Sequence, residues 1–529
     1  MLTSWNRNLV FVMDLSPQSD SYFVRQKLLG ILRAAWPLGR RVDWLAVGAF
    51  TLPLCLYLLT LAPTIYNLDS AELTTAVASG GIIRATGYPL YLFLGRIWIN
   101  LIPIGDMGYR MNLFSAIWGA TTILLAEYIL RRFQVRVWAR VGALGLLAAV
   151  PYFWSMSLIA EVYTLHTALM AAVILALLRW GESPTWQRLV WPFFLLALSM
   201  GNHAATILLV PACIWYILVQ LPRGAIRPST WLTVTLSLAA GATIFFYLPW
   251  QYSHNPAFNY AGHYDASGTF HPVNLMTLDG VLWLITGRAF VGQMFGYRLQ
   301  ELWPEIANYG AQLWRSFFFI GAGPGLLGAV VAWRRDWRTA GLLLLMFLTN
   351  AIFYINYRVI DKNTMFLPTY LVWAIWLGLG YHTLLQWLQP DKTGHILPGS
   401  SHRLNLARVV TFVMLAAVLL AVGWNWSLVD LSDDWSTREQ SEEILHLVES
   451  NAIVFGWWET IPGIQYLQLV EGQRPDVLAI NRFLISGEDM MAMIEEEVGH
   501  RPIYVNNPPL YFLQTMRVEK VGPLYQLRP

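Results

Sequence analysis

From residue 43 to residue 427 the chain alternates long apolar runs with short polar segments, and then it changes character. A bilayer-crossing helix needs ~20 apolar residues. Runs at 43–62, 109–130, 141–158, 161–178, 189–201, 203–220, 231–250, 313–333, 340–357, 365–387 and 408–427 predict about 11 transmembrane helices. The pair 189–201 and 203–220 is short and broken at Gly201-Asn202-His203. Residues 88–102 are apolar but hold Arg96 and are bounded by prolines. At ~15 residues, this stretch predicts a helix lying in the membrane interface.

After residue 430 the periodicity shortens. Residues 437–450 read as a polar amphipathic helix. Strand-like runs at 452–458, 476–481 and 502–505 alternate with helical stretches near 463–471 and 487–498, which predicts a small α/β domain. The pattern therefore divides the chain into a segment 1–42, a transmembrane domain 43–429 and an α/β domain 430–529. Large loops fall at 63–108 and 251–310.

Composition supports the membrane reading. Of 529 residues, 56% are hydrophobic and 13% charged, against about 25% charged in soluble domains. The 26 Trp suit interfacial belts. The net charge of +3 says less than its distribution. Arg7, Arg25, Lys27, Arg33, Arg40 and Arg41 precede the first span, which places the N-terminus in the cytoplasm. Arg131, Arg132, Arg136, Arg140, Arg179, Arg188, Arg223, Arg227, Arg334, Arg335, Arg338, Lys392, Arg403 and Arg408 then fall on the same side, and the short opposite loops are nearly bare of cations. An odd span count puts the C-terminal domain outside. The chain is expected in the plasma (inner) membrane of a prokaryote, with its first span kept as a signal anchor. Cys55 and Cys213 lie in apolar runs, so neither a disulfide nor a thiolate metal site is expected.

Polar groups at span mouths suggest function by default. The stretch 67–91 follows the first span and carries Asp69 and Glu72, three residues apart and on nearly one face of a short helix. Arg84 and Tyr88 follow, and Arg110 opens the second span. Glu161, Tyr163 and His166 sit where two spans meet outside, and Asn202 and His203 at the outer break. His254, His263, Asp265, His271, Arg288 and Arg298 lie in the large loop; Arg358, Asp361, Lys362 and Asn363 lie between two later spans. Plainer roles compete. Asp69 and Glu161 can cap helices. A lone His203 is more often a core imidazole than a ligand. Arg288 and Arg298 can anchor to headgroups, and Arg358 and Lys362 can snorkel. No HExxH, paired-Cys zinc spacing, Walker A or GxSxG motif is present, which removes support for zinc hydrolysis, P-loop nucleotide use and serine hydrolysis.

A carboxylate facing cations at a membrane surface suits group transfer from a lipid-linked phosphate. The acid serves as base on an acceptor hydroxyl, and the cations stabilise the departing phosphate. The alternative is a multi-span transporter or lipid flippase without transferase chemistry, which favours polar residues through the midplane or inverted repeats; neither pattern is evident. A binding or assembly protein working through its outer domain is a third reading.

Ten ordered stretches resemble a known family: L-D-S-A-E (68–72), G-I-I-R-A-T-G-Y-P-L-Y (81–91), R-M-N-L-F-S-A (110–116), E-V-Y-T-L-H (161–166), S-M-G-N-H (199–203), Y-L-P-W (247–250), N-P-A-F-N-Y (255–260), T-G-R-A-F-V-G-Q-M-F (286–295), D-K-N-T-M-F-L-P-T-Y (361–370) and E-G-Q-R-P-D-V (471–477). The order resembles the GT-C superfamily of polyprenyl-phosphate-sugar glycosyltransferases. It is more closely similar to the membrane family named domain of unknown function 2723, whose animal member (transmembrane protein 260) is a protein O-mannosyltransferase. The resemblance implies a GT-C-like fold and inverting transfer of a sugar, with mannose the sugar it points to. The donor would be a polyprenyl-phosphate-linked sugar. The acceptor would be a hydroxyl on protein or glycan at the outer face of the lipid bilayer, and nucleic acid plays no part. It implies Asp69 as catalytic base with Glu72 beside it, Tyr88 and Arg110 bordering the donor, and Glu161, Tyr163, His166, Asn202 and His203 lining the cavity. Arg84, Arg288, Arg358 and Lys362 are the cationic candidates for substrate. No cofactor is certain; the Asp-x-x-Glu pair has the hard oxygens that a divalent metal takes. Where the family has His-Pro-Pro before Gly-Tyr-Pro, this chain has Arg84-Ala85-Thr86, which exchanges a His for a cation in the donor region.

Overall fold

The computed structural model describes residues 42–84, 86–221, 228–388, 400–508 and 510–528. Contacts divide the chain into 1–45, of which 42–45 are described, and one compact unit, Ala46–Pro529. The basic residues expected before the first span lie outside the described residues. So do Ala85, Arg223, Arg227 and Lys392 and the side chain of Arg403.

Among the described residues, six helices are long and apolar enough to cross a membrane: Met107–Arg132, Tyr163–Glu182, Pro228–Tyr252, Trp337–Ile355, Lys362–Trp387 and Leu406–Val429. Trp44–Leu59, Val137–Ala148 and Ala204–Gln220 are apolar but shorter. We label the elements that place the site: α1 (Asp69–Ser79), α2 (Pro89–Leu101), α3 (Met107–Arg132), α4 (Tyr163–Glu182), α5 (Val190–Met200), α6 (Ala322–Arg335) and α7 (Leu367–Trp387). The Asp106 carboxylate caps α3 by accepting the N–H of Tyr109 at 2.7 Å, and Arg131 and Arg132 close its last turn, where cations suit the helix dipole.

The structure departs from the expected spans where proline and glycine fall. The run 141–158 is interrupted: one helix ends at Ala148 and a short one begins at Pro151, whose missing N–H fits a first helical position. The run 313–333 is two helices, Leu302–Ser316 and α6, parted at Phe318 and Phe319, which have φ of 50° and 61°. The break at Gly201-Asn202-His203 is present; α5 ends at Met200 and a 3-10 turn runs Ala204–Leu209. Residues 88–102 form the short helix α2.

Helix α7 sits at the centre, with 94% of its most apolar window buried. Lipid tails are as apolar as leucine, so close packing rather than water exclusion holds such helices together. Helices α6 and α7 meet at Gly328 and Gly380: a Cβ on Gly328 would strike the carbonyl of Trp376, and one on Gly380 the carbonyl of Pro324.

The C-terminal region forms a five-stranded sheet of order β4-β3-β5-β7-β6, numbered after the hairpin β1 (Gly262–Tyr264) and β2 (Phe270–Pro272). The parallel strands β3 (Ile453–Gly456), β4 (Leu478–Asn481) and β5 (Ile503–Val505) coincide with the expected runs. The antiparallel pair β6 (Arg517–Val521) and β7 (Leu524–Arg528) is not expected from the sequence, because β6 is exposed and charged and the mostly buried β7 carries Gln526 and Arg528 among its few apolar residues. Ala71 of α1 belongs to the same apolar cluster as Ile444, Ile464 and Val454, so the C-terminal layer packs directly on the helix that carries the acid pair.

Candidate active site

Helix α1 opens at Asp69, preceded by Leu68 at φ 56° and ψ −134°. A leucine at positive φ is strained, by about 1–3 kcal/mol, and such strain concentrates at functional sites. Tyr88, at the entry to α2, also has positive φ, 39°. Asp69 is thus the first helical residue rather than a cap, and no side chain caps the helix N–H groups here. One turn on, Glu72 is 4% exposed, and one of its oxygens accepts the Arg84 N–H at 3.4 Å.

Four acids from three parts of the chain converge. Burial, and then the negative charge of Asp361, push the Asp69 carboxyl up to about 7. Glu72 is held well above the usual carboxylate range by burial and then by Asp69. Glu161 is raised by burial, then by Asp69 and Asp361. Asp361 is itself raised by burial. Such neighbours cannot all ionise together near neutral pH, so the group shares protons. The sequence marks Asp361 as an outer-facing residue; its approach to Asp69 is tertiary.

Trp458 was missed by sequence reasoning. It follows β3, and its buried indole N–H has no hydrogen-bond partner. It lies near enough to Asp69 and Glu72 to lower both. Edge-to-face contacts with Tyr260 at 5.6 Å and Phe483 at 4.8 Å fix its ring. The signal available was Trp457-Trp458 at the carboxyl end of an expected parallel strand, where ligands of α/β layers bind. An Arg84 guanidinium nitrogen donates to the Phe483 carbonyl at 2.8 Å, and Arg84 also covers the Phe290 ring at 5.7 Å, so this residue ties the large loop and the C-terminal layer to the acid pair.

The aromatic and imidazole candidates also meet. Tyr88 stacks on His203 with centroids 5.7 Å apart at 21°, Tyr163 lies 5.7 Å from His203, and His166 lies 5.3 Å from it. His203 Nδ1 accepts the Ala205 N–H at 3.1 Å, which leaves its proton on Nε2. The Asn202 amide donates to the Val162 carbonyl at 3.1 Å, beside Glu161.

The remaining cations do not join this group. Arg110 donates to the carbonyls of Ile99 and Gly105, both at 3.1 Å, and so clamps the turn between α2 and α3. Lys362 pairs with Glu305 at 2.5 Å and sits 4.3 Å over the Tyr297 ring. Arg358 faces Glu301 at 3.9 Å, and Arg288 faces Asp279 at 3.5 Å. Each of these three already has an acid from the large loop. Among the described residues no three His, Cys, Asp or Glu side chains are grouped as a metal ligand set.

Apolar helices, an acid pair between Trp44–Leu59 and α3, and a C-terminal layer packed on the helix that carries that pair define the fold. Two solved structures share it: ArnT from Cupriavidus metallidurans bound to undecaprenyl phosphate, at 12% identity and TM-score 0.56 over 92% of this chain and 98% of that one, and its apo state, also at TM-score 0.56. Residues 69–224 match the family model described as the protein O-mannosyl-transferase TMEM260 N-terminal domain. The chain is similar to the protein O-mannosyl-transferase TMEM260 of Mus musculus, 29% identical over 39% of this chain and 30% of the mouse protein. It is 21% identical to tmem260 of Dictyostelium discoideum over 82% of this chain and 56% of that one, so it spans about half or less of the length of these relatives.

Proposed function

We propose that the chain is an inverting glycosyltransferase that moves a sugar, mannose by its relatives, from a polyprenyl phosphate to a hydroxyl of a protein or glycan. The observation that carries this reading is the gathering of Asp69 with Glu72, Glu161, Asp361 and the buried indole of Trp458, which raises the Asp69 carboxyl to about 7. Asp69 takes the acceptor proton, the acceptor oxygen forms a bond to the anomeric carbon, and the carbon–oxygen bond to phosphate breaks. The electron pair leaves with the lipid phosphate. Arg84, the cation tied closest to the acids, stabilises that charge. Arg288, Arg358 and Lys362 reach phosphate only by exchanging their carboxylate partners.

The site belongs on the outer face. The helices that frame it, α3, α4 and the one beginning at Lys362, all start beside it, and the opposite end of α3 carries Arg131 paired with Glu127 at 2.9 Å. The proposal keeps eleven spans with the 430–529 layer outside a prokaryotic plasma membrane; each expected run contains helix, and six described helices are long and apolar enough to cross. Polar groups gathered at one end of the helices favour transfer over transport. Transport of the lipid without sugar transfer by the purified chain would sink the proposal.

The chemistry has a pH signature. The base works only as carboxylate, so transfer is expected to rise through about pH 7 and level off above it. The same raised carboxyls bind protons more tightly folded than unfolded, so they cost the fold stability over the range in which activity is gained. Asp361→Asn removes the neighbouring charge that contributes most to the shift, and the rising limb should move to lower pH. Trp458→Phe keeps the ring contacts but deletes the N–H that lowers Asp69, and the limb should move to higher pH. Shifts in the same direction, or none, would separate these residues from the base.

A further inference from the structure

Behind the Tyr88–His203 stack lies a set of buried polar atoms that the protein itself does not satisfy. Glu161 Oε2, His166 Nε2, Asn202 Oδ1 and Ser199 Oγ have no hydrogen-bond partner, and their residues are 7%, 1%, 0% and 1% exposed. They come from two facing elements. Glu161 and His166 stand at the start of α4; Ser199 and Asn202, three residues apart, stand at the end of α5. The Asn202 amide bonded to Val162 joins the two sides, and His166 and His203 close ring to ring at 5.3 Å. Buried polar groups are nearly always paired, so several orphans in one seam call for a ligand that both donates and accepts.

We infer that this seam is the subsite for the uncharged sugar ring of the donor, with the lipid phosphate held apart from it. The inference rests on the glycosyl-transfer reading and deepens it. No lysine or arginine is among these groups, whereas a phosphate draws cations and their forked donors. The acceptors Asn202 Oδ1 and Ser199 Oγ and the carboxyl of Glu161 suit hydroxyl groups, and the faces of Tyr88 and Tyr163 offer aromatic surface to ring carbons. Phosphate belongs instead near Arg84, on the other flank of the acid pair. The sugar's anomeric carbon then lies between the two, at Asp69. Choice among sugars resides in which hydroxyls reach the orphan atoms.

The test is binding of two lipids to the purified full chain in lipid nanodiscs: bare undecaprenyl phosphate, and undecaprenyl phosphate carrying mannose or glucose. Ser199→Ala removes an oxygen that makes no internal hydrogen bond, so its fold should survive; Glu161→Gln is isosteric. Each variant is expected to bind the sugar-bearing lipid about 10-fold more weakly and bare undecaprenyl phosphate as the wild type does. Equal weakening for both lipids, or for neither, overturns the subsite. A wild-type chain that binds the bare lipid and discriminates against every sugar-bearing one overturns the transfer reading beneath it instead.

Discussion

Asp69→Asn is expected to abolish sugar transfer, by 10²–10⁴-fold, the usual worth of a positioned base, while the protein inserts and folds as before. The change keeps side-chain shape. Asp69 opens α1, whose remaining length is held by packing: Ala71, Leu73, Ala76 and Val77 are each at most 2% exposed. Removing a charge from a group of four buried acids, each raised by burial, should if anything stabilise the fold. Glu72 is then relieved of its largest charged neighbour and ionises more readily, yet it stays engaged with the Arg84 N–H and is deeper than Asp69. A variant that loses activity together with its melting transition would point to a structural role. Wild-type-like transfer would remove Asp69 from the chemistry.

Gly380→Leu is expected to prevent folding. Any Cβ at this position meets the Pro324 carbonyl, and the reciprocal contact of Gly328 with the Trp376 carbonyl leaves neither helix room to move. Overpacking alone costs about 1–3 kcal/mol when side chains can shift; here the obstruction is backbone, and total stability is only about 5–15 kcal/mol. Because α7 is the central helix, the loss should spread to the Asp361 segment that precedes it. Gly423→Ala is the control, since a Cβ there meets nothing within 4 Å, and helix propensity favours alanine. Monodisperse protein from the control and aggregate from Gly380→Leu is the expected pair. Equal yields would show that α6 and α7 do not approach this closely.

Much of this architecture was legible because membranes impose a coarse grammar. Apolar length gave the helices, and the switch to alternating runs after residue 430 gave three of the strands. Asp69, Glu72, Tyr88, Glu161, Tyr163, His166, Asn202 and His203 were identifiable one by one as polar groups at helix mouths, and the fold brings them together. Their partners were not legible. Trp458 reaches the acid pair only through packing of the C-terminal layer on α1, and Asp361 only through the course of the chain into α7. Lys362 and Arg358 look free in sequence, but Glu305 in the first turn of the helix Leu302–Ser316 and Glu301 just before it pair with them. Arg110 opens a helix as expected, yet its fork closes on carbonyls of the preceding turn.

The most direct measurement follows the sugar itself. Undecaprenyl-phosphate mannose labelled in the sugar, purified wild-type chain and a serine- and threonine-rich polypeptide should yield labelled acceptor with its anomeric configuration inverted, and Asp69→Asn should yield none. Label that never leaves the lipid across a panel of sugars and hydroxyl acceptors, or that arrives with configuration retained, would contradict the account.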